Sequence, residues 1–251
     1  MFEKMIRKSV SGPLLAIGLL LSMQAHAGLD LIRNGGFEDD AVATPTPQFW
    51  TSFNDGGFTS GATASTLLAN GDATSGAANG GYFGLIDGSA YYGNGGFIQG
   101  FSTAGVSSAV LGFRLFVNNY YAATTIDQSG LDFTTNGSFD ANQHLRIDLL
   151  LGSASVLDTG AGVLKSLYLG GATGAALSNP YLDFSFDLSS DLATGGSYQL
   201  RFAGVGNQGP FSVGIDDVSL VVTEIPAPST CALLLVGLAA LGSTRRRSTP
   251  G

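Results

Sequence analysis

Cysteine and histidine are almost absent from this 251-residue chain. The single cysteine, Cys231, lies in an apolar run near the C-terminus, so the remainder of the chain has neither a disulfide nor a thiol nucleophile. Of the two histidines, His26 belongs to an N-terminal leader, which leaves His144 alone. A zinc cluster of cysteines and a metal site with several histidines are therefore excluded.

Positive charge is also scarce. Residues 28–224 contain five cations against 18 of the chain's 19 acidic residues, which gives a net charge near −13. Because binding to phosphate requires the opposite sign, nucleic acid is not expected as a partner. An acidic surface suits solubility, and it suits divalent cations such as those that crosslink anionic polysaccharide; an acidic exported protein with no special ligand is the alternative.

The N-terminus has the pattern of a secretory signal peptide. Cations within the first eight residues precede an apolar run over 13–23, which is too short to span a bilayer. Ala25 and Ala27 place small residues at the two positions that signal peptidase recognises. We predict that residues 1–27 are a signal peptide, cleaved after Ala27.

The C-terminal residues 225–251 form a tail in three parts. A polar segment punctuated by prolines precedes twelve apolar or small residues at 231–242, and an arginine cluster follows. Twelve helical residues rise about 18 Å, well short of a hydrocarbon core of ~30 Å. The positive-inside rule keeps the arginines in the cytoplasm and so places residues 28–224 outside it. The flanking residues are Pro226, Ala227, Pro228, Ser229, Thr230, Arg245, Arg246 and Arg247.

This tail resembles the PEP-CTERM sorting signal, which belongs to exported proteins of Gram-negative bacteria that make exopolysaccharide. The family motif is Pro-Glu-Pro, and Ala227 stands in place of the glutamate. The resemblance implies an exosortase as processing partner and the helix 231–242 as a temporary tether in the inner membrane. It further implies release to the cell surface or the extracellular matrix.

The central residues 28–224 have the pattern of an all-β domain. Asn-Gly and Asp-Gly dipeptides, which favour turns, occur seven times, and helical spacing of apolar residues is scarce. Nine segments have the composition or alternation of strands, which predicts an antiparallel β-sandwich, with the stretch 56–80 as a surface loop. The predicted strands are 49–53, 81–86, 96–101, 110–117, 144–151, 163–169, 181–188, 198–203 and 212–222.

Two motifs mark the ends of this domain. They are Asn34-Gly35-Gly36-Phe37-Glu38 and Ile215-Asp216-Asp217-Val218-Ser219-Leu220. This pairing resembles jelly-roll carbohydrate-binding modules of the galactose-binding-like type, a domain that many PEP-CTERM proteins carry. The resemblance implies that the first and last strands are neighbours, and that Glu38 and Asp216 or Asp217 bind a structural calcium ion. Because adjacent strand residues point to opposite faces, only one of these aspartates is expected to share a face with Glu38. Solvated carboxylates, or partners for Arg33, are the alternative.

Aromatic residues define a candidate glycan-binding face. Exposed tryptophan and tyrosine rings stack on sugars, while amides reach the hydroxyl groups. A core position is the alternative for the only tryptophan, and in each tandem tyrosine pair one ring is expected to face outward. The candidate rings are Trp50, Tyr91, Tyr92, Tyr120 and Tyr121, with Asn94, Gln99, Asn118 and Asn119 as polar neighbours.

No pattern of catalytic residues stands out. His144 lies in an alternating strand and is expected at its surface, and the chain lacks the Gly-x-Ser-x-Gly nucleophile elbow. We therefore predict a non-enzymatic, exported surface or matrix protein associated with exopolysaccharide or biofilm. The alternatives are a dedicated carbohydrate-binding module with a defined glycan ligand, and a glycan-active hydrolase built on two carboxylates.

Overall fold

The structure of the protein is a computed structural model that describes residues 28–39, 43–90, 92–119, 130–134, 141–171 and 178–225. The predicted signal peptide, and the predicted sorting tail from Pro226 onward, lie outside these residues. Within the described ranges, no helix combines the length and the apolar character that crossing a membrane would require.

The described residues form eleven strands and one short helix. The elements are β1 (Leu29–Asp30), β2 (Thr51–Gly56), β3 (Thr59–Thr63), β4 (Phe83–Asp87), β5 (Gly93–Thr103), β6 (Val106–Asn119), β7 (Gln143–Leu151), β8 (Val163–Gly170), β9 (Leu182–Asp187), α1 (Ser189–Leu192), β10 (Gly196–Gly206) and β11 (Phe211–Glu224). A six-stranded sheet has the order β3-β4-β11-β6-β9, with β1 also paired to β11, and a five-stranded sheet has the order β2-β5-β10-β7-β8. All pairings are antiparallel, so the predicted jelly-roll β-sandwich is confirmed.

Alternating apolar residues build the core between the two sheets. β10 turns Tyr198, Leu200 and Phe202 inward, and β6 of the other sheet contributes Leu111 and Phe113. The rings of Phe113 and Phe202 meet edge to face, with their centroids 5.3 Å apart. Burying a side chain of this size stabilises the fold by about 1.5–3 kcal/mol, so this shared layer joins the sheets.

A loop covers part of the outer face of the six-stranded sheet. This glycine-rich loop, residues 64–82, places Leu68 and Ala77 on a small apolar cluster that contains Phe83 and Phe116. Phe83 and Phe116 belong to β4 and β6 but lie outside the main core. The stretch predicted as a surface loop is therefore mostly exposed outside β3, and it contacts the sheet through a few residues such as Leu68.

Two further segments cover the five-stranded sheet on its outer side. Leu131, within the segment 130–134, packs against Ala203 and Val205 of β10. The connection between β7 and β8, which we call the hairpin loop (residues 152–162), receives a hydrogen bond from the guanidinium of Arg201. Side chains on this face are consequently buried, although the strand pattern alone would leave them exposed.

The strand predictions succeed where apolar residues alternate and fail where they do not. All nine predicted strands are present, but β3 lies within the stretch 56–80. Its sequence contains only small residues, and Gly61 lies so close to the Thr44 backbone that a Cβ would come within 2.5 Å of the carbonyl oxygen. The Asn94-Gly95 pair, predicted as a turn, instead lies inside β5.

Candidate functional site

The two sequence motifs at the ends of the domain meet in space. β1 pairs with β11 through Leu29 and Val222, and the Leu31 N–H donates to the Leu220 carbonyl oxygen. Further along, the Val218 N–H donates to the Gly35 carbonyl oxygen at 3.0 Å. The prediction that the first and last strands lie side by side is confirmed.

A β-bulge in β11 changes the expected direction of one aspartate. The pairing with β6 runs from Asp216 to Arg114 and then resumes at Ser219, so Asp217 and its neighbour interrupt the ladder. Asp217 has a φ of 51°, in the left-handed region that side chains rarely adopt. Both aspartates therefore reach Asn79, because a bulge breaks strict alternation. The expectation that only one of them shares a face with Glu38 stays a prediction.

The motif carboxylates bind backbone amides of the glycine-rich loop. Asp216 Oδ2 accepts hydrogen bonds from the Ala78 and Asn79 N–H groups at 2.8 and 3.0 Å. Glu38 Oε1 accepts from the N–H groups of Gly81 and Tyr82 at 2.7 and 2.9 Å. Two acidic side chains thus satisfy four nearly consecutive amides and fix the end of the loop on the sheet.

This arrangement fits a calcium ion poorly. In the part of the chain that the structure describes, no three acidic, histidine or cysteine side chains lie close enough together to share a metal. The amide dipoles present their positive ends to Glu38 and Asp216, and Asp217 Oδ2 lies 3.2 Å from an Arg114 nitrogen. Calcium at Glu38 with Asp216 or Asp217 stays a prediction, which the melting temperature in excess calcium and in chelator decides.

Asp216 makes the stability of the domain depend on pH. Its side chain is completely buried, and this burial raises its pKa to about 6, with a smaller rise from Asp217, although backbone N–H bonds lower it. Between pH 4 and pH 6 the folded protein retains a proton that the unfolded chain releases. The resulting stabilisation of the folded state amounts to up to about 3 kcal/mol. It is fully present below about pH 4 and is lost as the pH rises through about 6.

We therefore expect the melting temperature to fall as pH is raised from 4.5 to 7.5. Asp216→Asn keeps an oxygen that accepts the two loop N–H bonds but cannot titrate, so its melting temperature should change much less over this range. Asp183→Asn, at an exposed carboxylate, serves as the control and should retain the fall. An unchanged slope in Asp216→Asn would show that another group titrates.

Trp50 belongs to the core and is not a glycan platform. Its side chain is 5 % exposed and stacks on Phe37 at a centroid distance of 5.5 Å. Its indole N–H donates to the Asn34 carbonyl oxygen at 3.0 Å. The prediction of Trp50 as an exposed ligand-binding ring is wrong, because the first motif folds over it and uses it as an anchor.

One of the candidate tyrosines lies in the described residues. Tyr92 is 52 % exposed, directly before β5. Tyr91, Tyr120 and Tyr121 lie outside the described residues, so their part in a glycan-binding face stays a prediction. Gln99, a predicted polar neighbour, is buried elsewhere and bonds to the main chain of Arg33.

Buried amides concentrate at one end of the sandwich, where β6 and β10 end and β5, β7 and β11 begin. We call this region the amide end. Cross-strand pairing aligns Asn119 with Phe211, and Gly206 with both Gly93 and Gln143. The polar side chains buried there are Asn94, Asn118, Asn119, Asn142, Gln143, Asn207 and Ser212. Asn94, Asn118 and Asn119, predicted as polar neighbours of the tyrosines, are thus brought together.

The amide end holds loops and joins the two sheets. Gln143 Nε2 donates to Asn119 Oδ1 at 2.7 Å, which links β7 of one sheet to β6 of the other. Asn142 Nδ2 donates to the carbonyl oxygens of Gly130 and Asp132, and its N–H donates to Asn207 Oδ1. These side-chain amides form hydrogen bonds within the protein, and they hold the neighbouring segments in place.

The outer face of the five-stranded sheet contains an ion cluster that the sequence analysis missed. Asp148 Oδ2 accepts from Arg201 at 2.5 Å and from Arg146 at 2.7 Å. Burial lowers the pKa of Arg201, whereas the nearby Asp148 carboxylate raises it.

His144 lies on the same face of the sheet and is fully buried, so the prediction of a surface position for it is wrong. The alternation in β10, where Arg201 stands between Leu200 and Phe202, indicates which side chains lie on this face. It does not indicate that loops cover the face and bury those side chains.

No protein-family model and no curated protein matches the chain. Among solved structures it is similar to the K3 adhesin domain of Lys-gingipain from Porphyromonas gingivalis, with 12 % identity, 78 % of this chain and 99 % of that chain covered, and a TM-score of 0.48. It is also similar to the Stig cyclase Fisc from Fischerella sp. TAU, at 15 % identity and a TM-score of 0.45. The match covers 80 % of this chain and 100 % of the cyclase chain. A third similar structure is TmCBM61, solved in complex with β-1,4-galactotriose, at 13 % identity and a TM-score of 0.43. The match covers 76 % of this chain and 97 % of the TmCBM61 chain. These likenesses concern the fold alone.

Proposed function

We propose that the chain is an exported, non-enzymatic β-sandwich module that binds polysaccharide at the cell surface or in the extracellular matrix. The observation that carries this proposal is the amide end. Its buried side chains fix loop segments at one end of the double sheet, and binding residues are commonly placed on loops held in this way. Loops cover parts of both outer sheet faces, which favours the end of the sandwich as the binding surface.

Tyr92 supplies the aromatic contact in this proposal. Its ring is exposed at the amide end, and its carbonyl oxygen accepts the Gly57 N–H at 2.8 Å, which ties its backbone to the end of β2. A tyrosine ring offers an apolar face to a sugar and a hydroxyl group to its polar substituents. Tyr91, Tyr120 and Tyr121 are proposed as further contacts from their places in the sequence.

Affinity electrophoresis of the full chain in gels that contain neutral or acidic polysaccharides tests binding. We expect at least one polysaccharide to retard the protein, Tyr92→Ala to relieve much of the retardation, and Tyr92→Phe to preserve it. A folded protein that no polysaccharide retards would contradict the proposal. Release of reducing ends from a retarding polysaccharide would favour the glycan-active hydrolase instead.

Export and sorting form the second part of the proposal. A signal peptidase would cleave after Ala27, and an exosortase would remove the tail near Pro226–Pro228 after transient tethering in the inner membrane of a Gram-negative bacterium. Intact mass and terminal sequencing of the protein from its host measure both events. A mature protein that still ends beyond Arg247 would contradict sorting, and this outcome is independent of the binding assay.

A further inference from the structure

Arg33 differs from the other cations in the described part of the chain, because no carboxylate lies within ion-pair distance of it there. The remaining cations are paired: Arg114 with Asp183 and Asp217, Arg146 and Arg201 with Asp148, and Lys165 with Asp191. In a domain with a net charge near −13, an exposed arginine that has no partner carboxylate among the described residues is unexpected. Its guanidinium instead lies over the ring of Phe49, 3.5 Å from the ring centroid.

Phe49 has an unusual backbone and an exposed ring. Its φ is 68°, in the left-handed region that is unfavourable for a bulky side chain, and the side chain is 43 % exposed. Hydrophobic burial therefore does not explain why a phenylalanine is held in this conformation. Strain of this kind persists only where the surrounding structure imposes it, and it often accompanies a binding site.

The residues around the pair impose its geometry. Asn34 bonds to the residues on both sides of Phe49, since its side-chain nitrogen donates to the Gln48 carbonyl oxygen and its carbonyl oxygen accepts from the Trp50 indole. Gln99 is 4 % exposed, and its amide bonds to both the N–H and the carbonyl oxygen of Arg33 at 2.8 and 2.9 Å. The main chain of Arg33 is thus fixed by the buried Gln99, and the residue before Phe49 is held by Asn34.

A stacked guanidinium keeps its in-plane N–H groups available. These groups form a planar fork that matches a carboxylate, and stacking on a ring limits the rotations that the arginine would lose on binding. We infer that Arg33 and Phe49 form a binding site for a carboxylate group, carried by a uronic acid unit of an acidic saccharide. The choice of a saccharide as carrier rests on the proposed function, whereas the choice of a carboxylate does not.

The site lies apart from the amide end. Gln99 lies in the second half of β5, whereas the amide end is formed by the first residues of that strand. Phe49 is partly exposed beside the guanidinium and offers an apolar surface for the C–H groups of the sugar ring that carries the carboxylate. Phe49, which no sequence pattern singled out, takes the position that was predicted for Trp50.

Nuclear magnetic resonance of the full chain tests this site directly. We expect millimolar galacturonate to shift the Nε–Hε signal of Arg33, and galactose at the same concentration to leave it unchanged. No shift with galacturonate, or equal shifts with both sugars, would overturn the inference. A hexapeptide of glutamate at matched carboxylate concentration should shift the signal less, and an equal or larger shift would overturn the assignment to a saccharide.

Variants separate the fork from the ring. Arg33→Lys keeps the charge but removes the planar fork, and should weaken galacturonate binding at least about fivefold. Phe49→Gly removes the ring at a φ that glycine accepts, so the fold should persist while binding weakens roughly threefold. Arg114→Lys changes a paired arginine and should bind as the unmodified protein does. Equal effects of Arg33→Lys and Arg114→Lys on galacturonate binding would contradict the site. If a polysaccharide binds the protein but galacturonate does not shift the Arg33 signal, the site at Arg33 and Phe49 is rejected and the proposed function stands.

Discussion

Replacing Asp148 by asparagine is expected to lower the free energy of unfolding by about 3–5 kcal/mol. Asp148 and Arg201 are fully buried, and the carboxylate binds Arg201 and Arg146 through one oxygen and Arg146 again through the other. The substitution leaves two largely buried guanidinium groups without the charge that compensates them. The cost arises because removal of one partner from a buried ion cluster leaves the other charges desolvated and unpaired.

Urea denaturation of Asp148→Asn and of Asp183→Asn measures this difference. Asp183 also binds an arginine, Arg114, but its side chain is 84 % exposed, so loss of that pair should cost less than about 1 kcal/mol. Arg201 also donates to the Val156 carbonyl oxygen, and the hairpin loop should therefore lose protection from hydrogen exchange in Asp148→Asn. Similar losses of stability in the two variants would show that the buried cluster contributes no more than a surface pair.

The sequence pattern predicted the architecture because the core depends on it directly. Tyr198, Leu200 and Phe202 alternate with polar residues and face the core, as the two-residue period of a strand requires. Alternation also predicted a surface position for His144, and there it failed. Arg201 and His144 are fully buried, because covering loops come from distant parts of the chain and carry no periodic signal.

The candidate site was predicted less well, for a similar reason. Resemblance correctly placed Glu38 near Asp216, but a carboxylate motif does not distinguish metal ligands from acceptors for backbone amides. The direction of Asp217 depends on a bulge, and bulges depend on local contacts that alternation cannot reveal. Phe49 was missed because composition predicts neither its positive φ nor its place under the Arg33 guanidinium.

The first motif contains two adjacent glycines that should respond very differently to substitution. A Cβ at Gly35 would lie 1.8 Å from the Val218 carbonyl oxygen and 2.7 Å from its carbonyl carbon. At Gly36 the nearest atoms are Glu38 Cγ at 3.6 Å and Asp216 Oδ1 at 3.8 Å, which are ordinary contacts. Neither glycine has a positive φ, so the available space alone distinguishes them.

We expect Gly35→Ala to destabilise the domain by about 3 kcal/mol or more, because backbone atoms rather than a flexible side chain must move. The displacement would also lengthen the hydrogen bond from the Val218 N–H to the Gly35 carbonyl oxygen, where the two motifs meet. Gly36→Ala should stay within about 1 kcal/mol of the unmodified protein, since alanine reduces the entropy of the unfolded chain and fits the site.

Urea denaturation of the two variants in parallel gives the comparison. A large loss in Gly35→Ala beside a small change in Gly36→Ala would mean that the opening motif requires its first glycine for close contact with the last strand. Gly36, by contrast, would have room for a side chain. Equal losses would instead mean that the turn requires flexibility at both positions, and the contact between the two motifs would no longer explain why the first glycine is required.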